Sequence, residues 1–263
     1  MDLELKGKTA FISGATQGIG YAIARQLLKE GVAVTINGRD AAKTAAAVQQ
    51  LQQEFPGEEV QGIAADFSDP ISVDALLQQL PAVDILINNV GVFELKAFEA
   101  TGVADWYRMF DVNVMSGVRL SQQLLPKMLE KNWGRIVFIS SEAGVNIPGD
   151  MIHYGMSKAA MMAVSNGLSK LTKGTAVTVN TVLGGPTYSE GVAQTVEAIA
   201  AAQDMEVAQL KSSIVQQTNP HSLLQRFIQP SEIASLAVYL CSPLAVATNG
   251  ASLRADGGVL RTV

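Results

Sequence analysis

Cysteine is nearly absent from this chain, and histidine is scarce. A single thiol, Cys241, excludes an internal disulfide framework, and its apolar surroundings point to a buried, inert group. The two histidines, His153 and His221, lie far apart, and no His/Cys/Asp spacing suggests a metal ligand set, so no metal is expected. Charge is sparse as well: 16% of residues are charged and the net charge is -5. Nucleic-acid binding would need clustered Lys and Arg, and no basic stripe is present. No apolar run reaches the roughly 18 residues of a membrane span. Met1 to Lys8 alternates charged and apolar residues, unlike a signal peptide. The expectation is a cytoplasmic protein with no membrane or nucleic-acid partner. What is plentiful is apolar residues, 48% of 263, enough for one large core in a single domain over residues 1–263.

Short apolar runs alternate with helical stretches along the chain. Thr9–Ser13 is β-prone and precedes a helical stretch from Gly18 to Glu30, stopped by Gly31. Val32–Asn37 reads as a second strand, followed by an Ala- and Gln-rich helix over Asp40–Phe55. Glu59–Ala64, Val83–Asn88, Arg135–Ser140, Val177–Leu183 and Ala251–Ala255 complete the strands. Continuous apolar strands alternating with helices predict an α/β fold: one doubly wound, Rossmann-type parallel sheet of about seven strands with helices on both faces. Ligands of such sheets bind at the carboxyl ends of the strands. Between Gly184 and Arg226 the pattern is helical without a strand, and about 187–226 is expected to be a helical substrate-binding segment.

Ser13-Gly-Ala-Thr-Gln-Gly-Ile-Gly20 lies between the first strand and the first helix. Gly14, Gly18 and Gly20 allow a sharp turn and a close approach to a pyrophosphate, and the helix N-terminus offers free N–H groups. A tight structural turn would also explain three glycines. The spacing G-x-x-x-G-x-G, together with Asn88-Asn-Val-Gly91 at the end of the fourth strand, resembles the single-domain short-chain dehydrogenase/reductase family, and the resemblance runs from about Leu5 to Gly258. Val90 departs from the family's usual Ala in that turn. The resemblance implies a nicotinamide dinucleotide held by Gly14, Thr16, Gln17, Gly18, Ile19, Gly20, Arg39, Asp66, Phe67, Asn89, Gly91, Tyr154, Lys158, Gly185 and Thr187.

Charge at the end of the second strand bears on which dinucleotide. NAD-binding folds usually place a carboxylate there for the ribose 2′-OH, but this chain reads Asn37-Gly-Arg39. A guanidinium can pair with a 2′-phosphate that a carboxylate would repel. NADP(H) is therefore the preferred cofactor. NAD(H) stays possible, because Gln17 stands where many NADP-using relatives carry a basic residue.

Tyr154-Gly-Met-Ser-Lys158 sets a phenol and an ammonium one helical turn apart. An unperturbed Tyr titrates near 10, and lowering it to neutrality needs about 4 kcal/mol. One cation roughly 4 Å away at an effective dielectric of 20 supplies about that much, so the lysine is expected to pull the phenol down. Such pairs also occur by chance on solvated helices. The strand ending Ile139-Ser-Ser141 and Asn113 in Phe110-Asp-Val-Asn-Val114 supply the companions that the family pattern requires. By resemblance, Ser141 binds the substrate oxygen, with Ser140 the competing choice. Tyr154 is the general acid/base, Lys158 holds the ribose, and Asn113 holds a helix distortion and a proton relay.

The family's Asn-x-x-x-Pro-Gly appears here as Asn180-Thr-Val-Leu-Gly-Gly-Pro-Thr187, with Gly184 where proline is usual. Met205, Leu210, Ile214 and Leu223 suit an apolar pocket or plain helix packing. His153 and His221 are expected in ordinary loop or surface positions. The resemblance implies an oxidoreductase moving a hydride between nicotinamide and a carbonyl or secondary alcohol, in a homo-oligomer, tetramer or dimer, built through the helices of Asn113 and Tyr154. Alternatives are a 3-oxoacyl thioester (acyl-carrier-protein) reductase of the same family, or a non-catalytic NADP-binding sensor or scaffold.

Overall fold

The computed structural model describes residues 2–261. Met1, Thr262 and Val263, the ends of the domain expected over 1–263, lie outside the described residues. Seven strands make one sheet: β1 (Thr9–Ile12), β2 (Ala33–Gly38), β3 (Val60–Ala64), β4 (Ile85–Asn88), β5 (Gly134–Ser141), β6 (Val177–Gly184) and β7 (Ser252–Ala255). Their order is β3-β2-β1-β4-β5-β6-β7, and every neighbouring pair is parallel. The doubly wound sheet expected from the apolar runs is present, with strand ends shifted by a residue or two. β5 and β6 are buried at every residue, as a central strand covered on both faces requires.

The helices are α1 (Gly18–Lys29), α2 (Ala41–Glu54), α3 (Pro70–Gln79), α4 (Val103–Phe110), α5 (Ser116–Glu130), α6 (Ile152–Lys170), α7 (Glu190–Ala202), α8 (Val207–Thr218) and α9 (Pro230–Cys241). Local chemistry sets several starts. Asp40 caps α2 by accepting from the Lys43 amide at 2.8 Å, and Asp69 caps α3 ahead of Pro70, accepting from the Ile71 amide at 3.1 Å. α1, α2 and α9 pack on one face of the sheet through residues such as Ile23, Leu27, Leu51 and Ile233. α3, α5 and α6 cover the other through Leu76, Leu120, Leu124 and Met161. Each fully buried Leu or Ile contributes roughly 1.5–3 kcal/mol. Cys241 is among these buried residues, and desolvation pushes its thiol up to about 12, the inert state expected of it.

Two features place a site. The strand order reverses between β1 and β4, which opens a crevice at their carboxyl ends. α4 and α5 are joined by a π-helical turn, Asp111–Met115, and Asn113 sits at its centre. π turns inside α-helices often mark functional positions.

Candidate active site

The crevice is shaped first by buried polar side chains. Ser13 Oγ accepts from the amides of Asn89 and Val90 at 3.0 and 3.1 Å, tying the turn after β1 to the turn after β4. Asn89 Nδ2 donates to the carbonyls of Ser13 and Gly14 at 3.0 and 2.8 Å. Asn37, fully buried, accepts from the Gly14 amide at 3.2 Å and donates to the carbonyls of Ile63 and Ala65 at 3.1 and 3.2 Å. It thus joins the ends of three strands, a role the sequence reading missed by treating Asn37 only as a missing carboxylate. Gly18 takes φ +63°, and a Cβ on Gly20 would lie 2.5 Å from Asn89 Nδ2 and 2.6 Å from the Gly14 carbonyl. The turn therefore requires glycine at both positions. The first-turn amides of Ile19 and Gly20 have no helical acceptor and suit an anion. The Gly18 amide donates to Glu190 Oε2 at 2.7 Å, which sets a carboxylate from the start of α7 on the glycine turn. Thr16 packs against Gly38, and Gln17 is exposed.

Arg39 is exposed directly after β2. Asp66, after β3, is held below the usual carboxylate range mainly by the Ser68 amide and hydroxyl, with the Arg39 charge adding to the effect. Phe67 is buried against Val73 and Leu76, so only its backbone can face the crevice.

On the other side, Ser141 ends β5 and α6 carries Tyr154 and Lys158. Lys158 Nζ lies 5.7 Å from the Tyr154 ring centre and donates to the Ile139 carbonyl at 3.0 Å. Asn113 Oδ1 accepts from the Val92 amide at 2.7 Å, while its Nδ2 donates to the Val92 carbonyl and to Ser157 Oγ, both at 2.9 Å. Gly91 lies between these groups, where a Cβ would come within 3.3 Å of Lys158 Nζ and 3.5 Å of Asn113 Oδ1. The Ser140 hydroxyl donates to the Lys158 carbonyl at 2.9 Å. The Ser141 hydroxyl instead donates to Glu142 Oε2 at 2.5 Å and accepts from the Ala143 amide at 3.1 Å.

The electrostatics depart from the expected lowering of the phenol. Burial pushes Tyr154 up to about 12, with the Ser141 hydroxyl working against it and Glu142 adding to it. Burial pushes Lys158 down to about 8, opposed by the Glu142 charge. Desolvation penalises both charged forms and is the largest influence on each. The phenol of the chain alone is protonated at neutral pH, ready to act as an acid.

Gly184 extends β6 and pairs with Ser141 and Ala255, so the position that lacks the usual proline is held by the sheet itself. A Cβ on Gly185 would lie 2.6 Å from the Asp256 carbonyl. Thr187 bridges to Ile228, and its hydroxyl donates to the Gly185 carbonyl at 2.8 Å. Within 187–226, Val196, Ala200 and Leu210 form a small core, joined by Ile214. Leu210 and Ile214 therefore pack α7 against α8, and Leu223 is 84% exposed. His221 is exposed as expected, but His153 is buried, its ring edge-on to Trp106 at 6.1 Å. The face of α6 next to Tyr154 turns inward, which overrides the surface position expected for His153. Glu142, Glu190, Asn37 and Ser157 were not among the sequence candidates. Only Glu142, a carboxylate immediately after the strand-end serines, left a local signal.

Among the described residues no helix is long and apolar enough to cross a membrane, and no group of three His, Cys, Asp or Glu side chains could hold a metal ion. Residues 8–200 match the family model described as short chain dehydrogenase. The chain is 41% identical over 263 residues, all of both chains, to the uncharacterized oxidoreductase YvaG of Bacillus subtilis (strain 168). It is 29% identical over 263 residues to a 3-oxoacyl-[acyl-carrier-protein] reductase of Aquifex aeolicus (strain VF5), covering 98% of this chain and 100% of the relative. Among solved structures, the L-sorbose reductase of Gluconobacter frateurii complexed with NADPH and L-sorbose superposes with a TM-score of 0.93 at 28% identity, covering 100% of both chains.

Proposed function

The chain belongs to the short-chain dehydrogenase family and is an oxidoreductase; from that premise we propose that it is an NADP(H)-dependent reductase of carbonyl compounds, or dehydrogenase of the matching secondary alcohols, with Tyr154 as its acid–base residue. The observation that carries this reading is the meeting of Ser141, Tyr154, Lys158 and Gly91 at the strand ends beside the glycine turn. Retention of all three side chains favours an enzyme over a sensor or scaffold.

The residues present fit the dinucleotide. Free first-turn amides of α1 suit its pyrophosphate, the space kept open by Gly91 beside Lys158 suits its ribose, and exposed Arg39 suits a 2′-phosphate. NADPH, when bound, supplies the hydride. Tyr154 gives its proton to the carbonyl oxygen, Ser141 fixes that oxygen beside the phenol, and Lys158, charged below about 8, stabilises the phenolate left behind. Asn113 and Ser157 hold the Val92 turn against α6 and so keep the floor of the site in place. Gly185 and Thr187 would lie at the nicotinamide end.

Arg39→Asp should move the NADPH-over-NADH ratio of kcat/KM by on the order of a hundredfold toward NADH, since it removes a charge-assisted pair and adds repulsion. Parallel assays with the two cofactors measure this, and an unchanged ratio removes Arg39 from cofactor choice. Glu190→Gln should tighten NADPH binding by roughly tenfold, because a carboxylate on the Gly18 amide repels a pyrophosphate a few ångströms away. Fluorescence titration with NADPH reads the change, and weaker binding would mean that the carboxylate supports the site instead.

The substrate class is tested by following NADPH absorbance with L-sorbose, other ketoses, simple ketones and acetoacetyl thioesters. Preferential turnover of the thioester would favour the 3-oxoacyl reductase, a reading supported by the Aquifex relative. We place the protein in the cytoplasm as a homo-oligomer, dimer or tetramer, through the α4–α5 rod and α6. Exposed Val103 and Tyr107 on α4 support that contact.

A further inference from the structure

Glu142 opens the turn after β5 with its carboxyl inside the catalytic cluster. Its Oε2 accepts a hydrogen bond from the Ser141 hydroxyl at 2.5 Å, while the Ala143 amide fills one acceptor position on the same hydroxyl at 3.1 Å. A serine hydroxyl has one proton to give and two lone pairs to receive with. In the arrangement seen, that proton is committed to Glu142, and none remains for an oxygen held between Ser141 and Tyr154. If the carboxyl carries a proton of its own, the valences close differently. Glu142 then donates to one lone pair of Ser141 Oγ, the Ala143 amide occupies the other, and the serine proton is released into the site.

We propose that Glu142 is a positioning residue that sets the direction of the Ser141 proton, away from the substrate oxygen as a carboxylate and toward it as a carboxylic acid. The inference rests on the reading of Ser141 and Tyr154 as the pair that meets the substrate oxygen.

The charged and titratable groups that bear on Glu142 come from two other elements: Tyr154 and Lys158 on α6, and Asp256 in the turn after β7. Burial raises the Glu142 carboxyl above its ordinary range, and the Asp256 charge adds to this. Hydrogen bonds from Ser141 and Ala143 oppose it. A raised carboxyl keeps its proton further toward neutrality, so the releasing form holds on the acidic side and is lost as pH rises through the raised value. Across this window Tyr154 keeps its proton and Lys158, below about 8, keeps its charge, so neither produces the same decline.

The test is the pH profile of kcat/KM for reduction by NADPH of whichever carbonyl in the substrate panel the wild type turns over fastest. Wild type should fall by on the order of tenfold or more as rising pH takes the proton from Glu142 and withdraws a donor to the reacting oxygen. Glu142→Gln, whose neutral amide can donate to Ser141 at every pH and never becomes a carboxylate, should hold the wild-type acid plateau with no decline. Glu142→Ala should also be flat, but lower, because nothing then orients the hydroxyl. A decline that persists in Glu142→Gln overturns the proposal, and so does a Glu142→Gln rate no higher than that of wild type at the top of the window. A second measurement needs no turnover. Isotope-edited infrared spectroscopy of the cofactor-free protein, with Glu142→Gln as the blank, follows the carboxyl band of Glu142. Its midpoint should lie above that of an ordinary Glu and rise further in Ser141→Ala. An ordinary midpoint that ignores Ser141 overturns the proposal even if the enzyme is active. Failure of wild type to reduce any carbonyl would instead count against the proposed function, leaving the infrared result to decide the Ser141–Glu142 coupling.

Discussion

Replacing Tyr154 by Phe should lower reductive turnover by about 10³-fold or more while leaving NADPH affinity within about twofold, because under the proposed mechanism the change removes the proton donor and little else. The ring itself has structural neighbours, with Phe93 edge-on at 6.3 Å and Lys158 Nζ 5.7 Å from its centre. Phe preserves both contacts, so a stability loss would not confuse the result. A phenol pushed up to about 12 is fully protonated at neutral pH, which suits an acid in reduction. The reverse reaction needs the phenolate, so alcohol oxidation should accelerate with rising pH, opposite to the trend in reduction. Initial rates from NADPH absorbance, set beside fluorescence titration of the same variant, separate chemistry from binding. Comparable turnover by Tyr154→Phe would take the residue out of the mechanism.

Lys158→Met should produce a divergence: turnover falls by about 10²-fold or more while the fold becomes more stable at pH 7. The side chain is 5% exposed, and burial moves it from 10.5 to about 8. At 1.36 kcal/mol per unit, holding the charged form inside costs on the order of 3 kcal/mol, partly offset by the bond to the Ile139 carbonyl. The direction with pH is fixed by linkage. The folded pKa lies below the unfolded one, so the cost is fully present below about 8. It fades as pH rises toward the ordinary lysine range, where the unfolded chain holds the extra proton. Thermal unfolding should therefore show the variant ahead by several degrees at pH 7, with the gap closing above pH 8. A variant less stable than wild type at pH 7 would mean that the lysine serves the fold and not only the site.

Some of this was legible in the linear chain because the signals are local. Strands buried on both faces need continuous apolar runs, and β5 and β6 are buried throughout. Gly18 and Gly20 stood out because a positive φ and a forbidden Cβ are single-residue constraints. Tyr154 and Lys158 fall on one face of α6 because four residues make about one helical turn. Other features were not legible. Gly18 and Glu190 are 172 positions apart, and no local pattern predicts their bond. Asn37 looked like the absence of a cofactor carboxylate, yet it ties three strand ends together. Leu210 and Ile214 carried a helical apolar pattern that fits a pocket or a helix pair, and packing chose the helix pair.

Residue order alone thus settled the parallel sheet, the glycine turn and the one-turn spacing of phenol and ammonium, since each depends on neighbours within a few positions. Tertiary structure alone decided that the phenol is a weak acid and the ammonium a strained one, and that the Ser141 proton is claimed by Glu142. The reason is physical: hydrophobic period and backbone conformation are written residue by residue, whereas desolvation and hydrogen-bond competition depend on what distant segments bring to the same few ångströms.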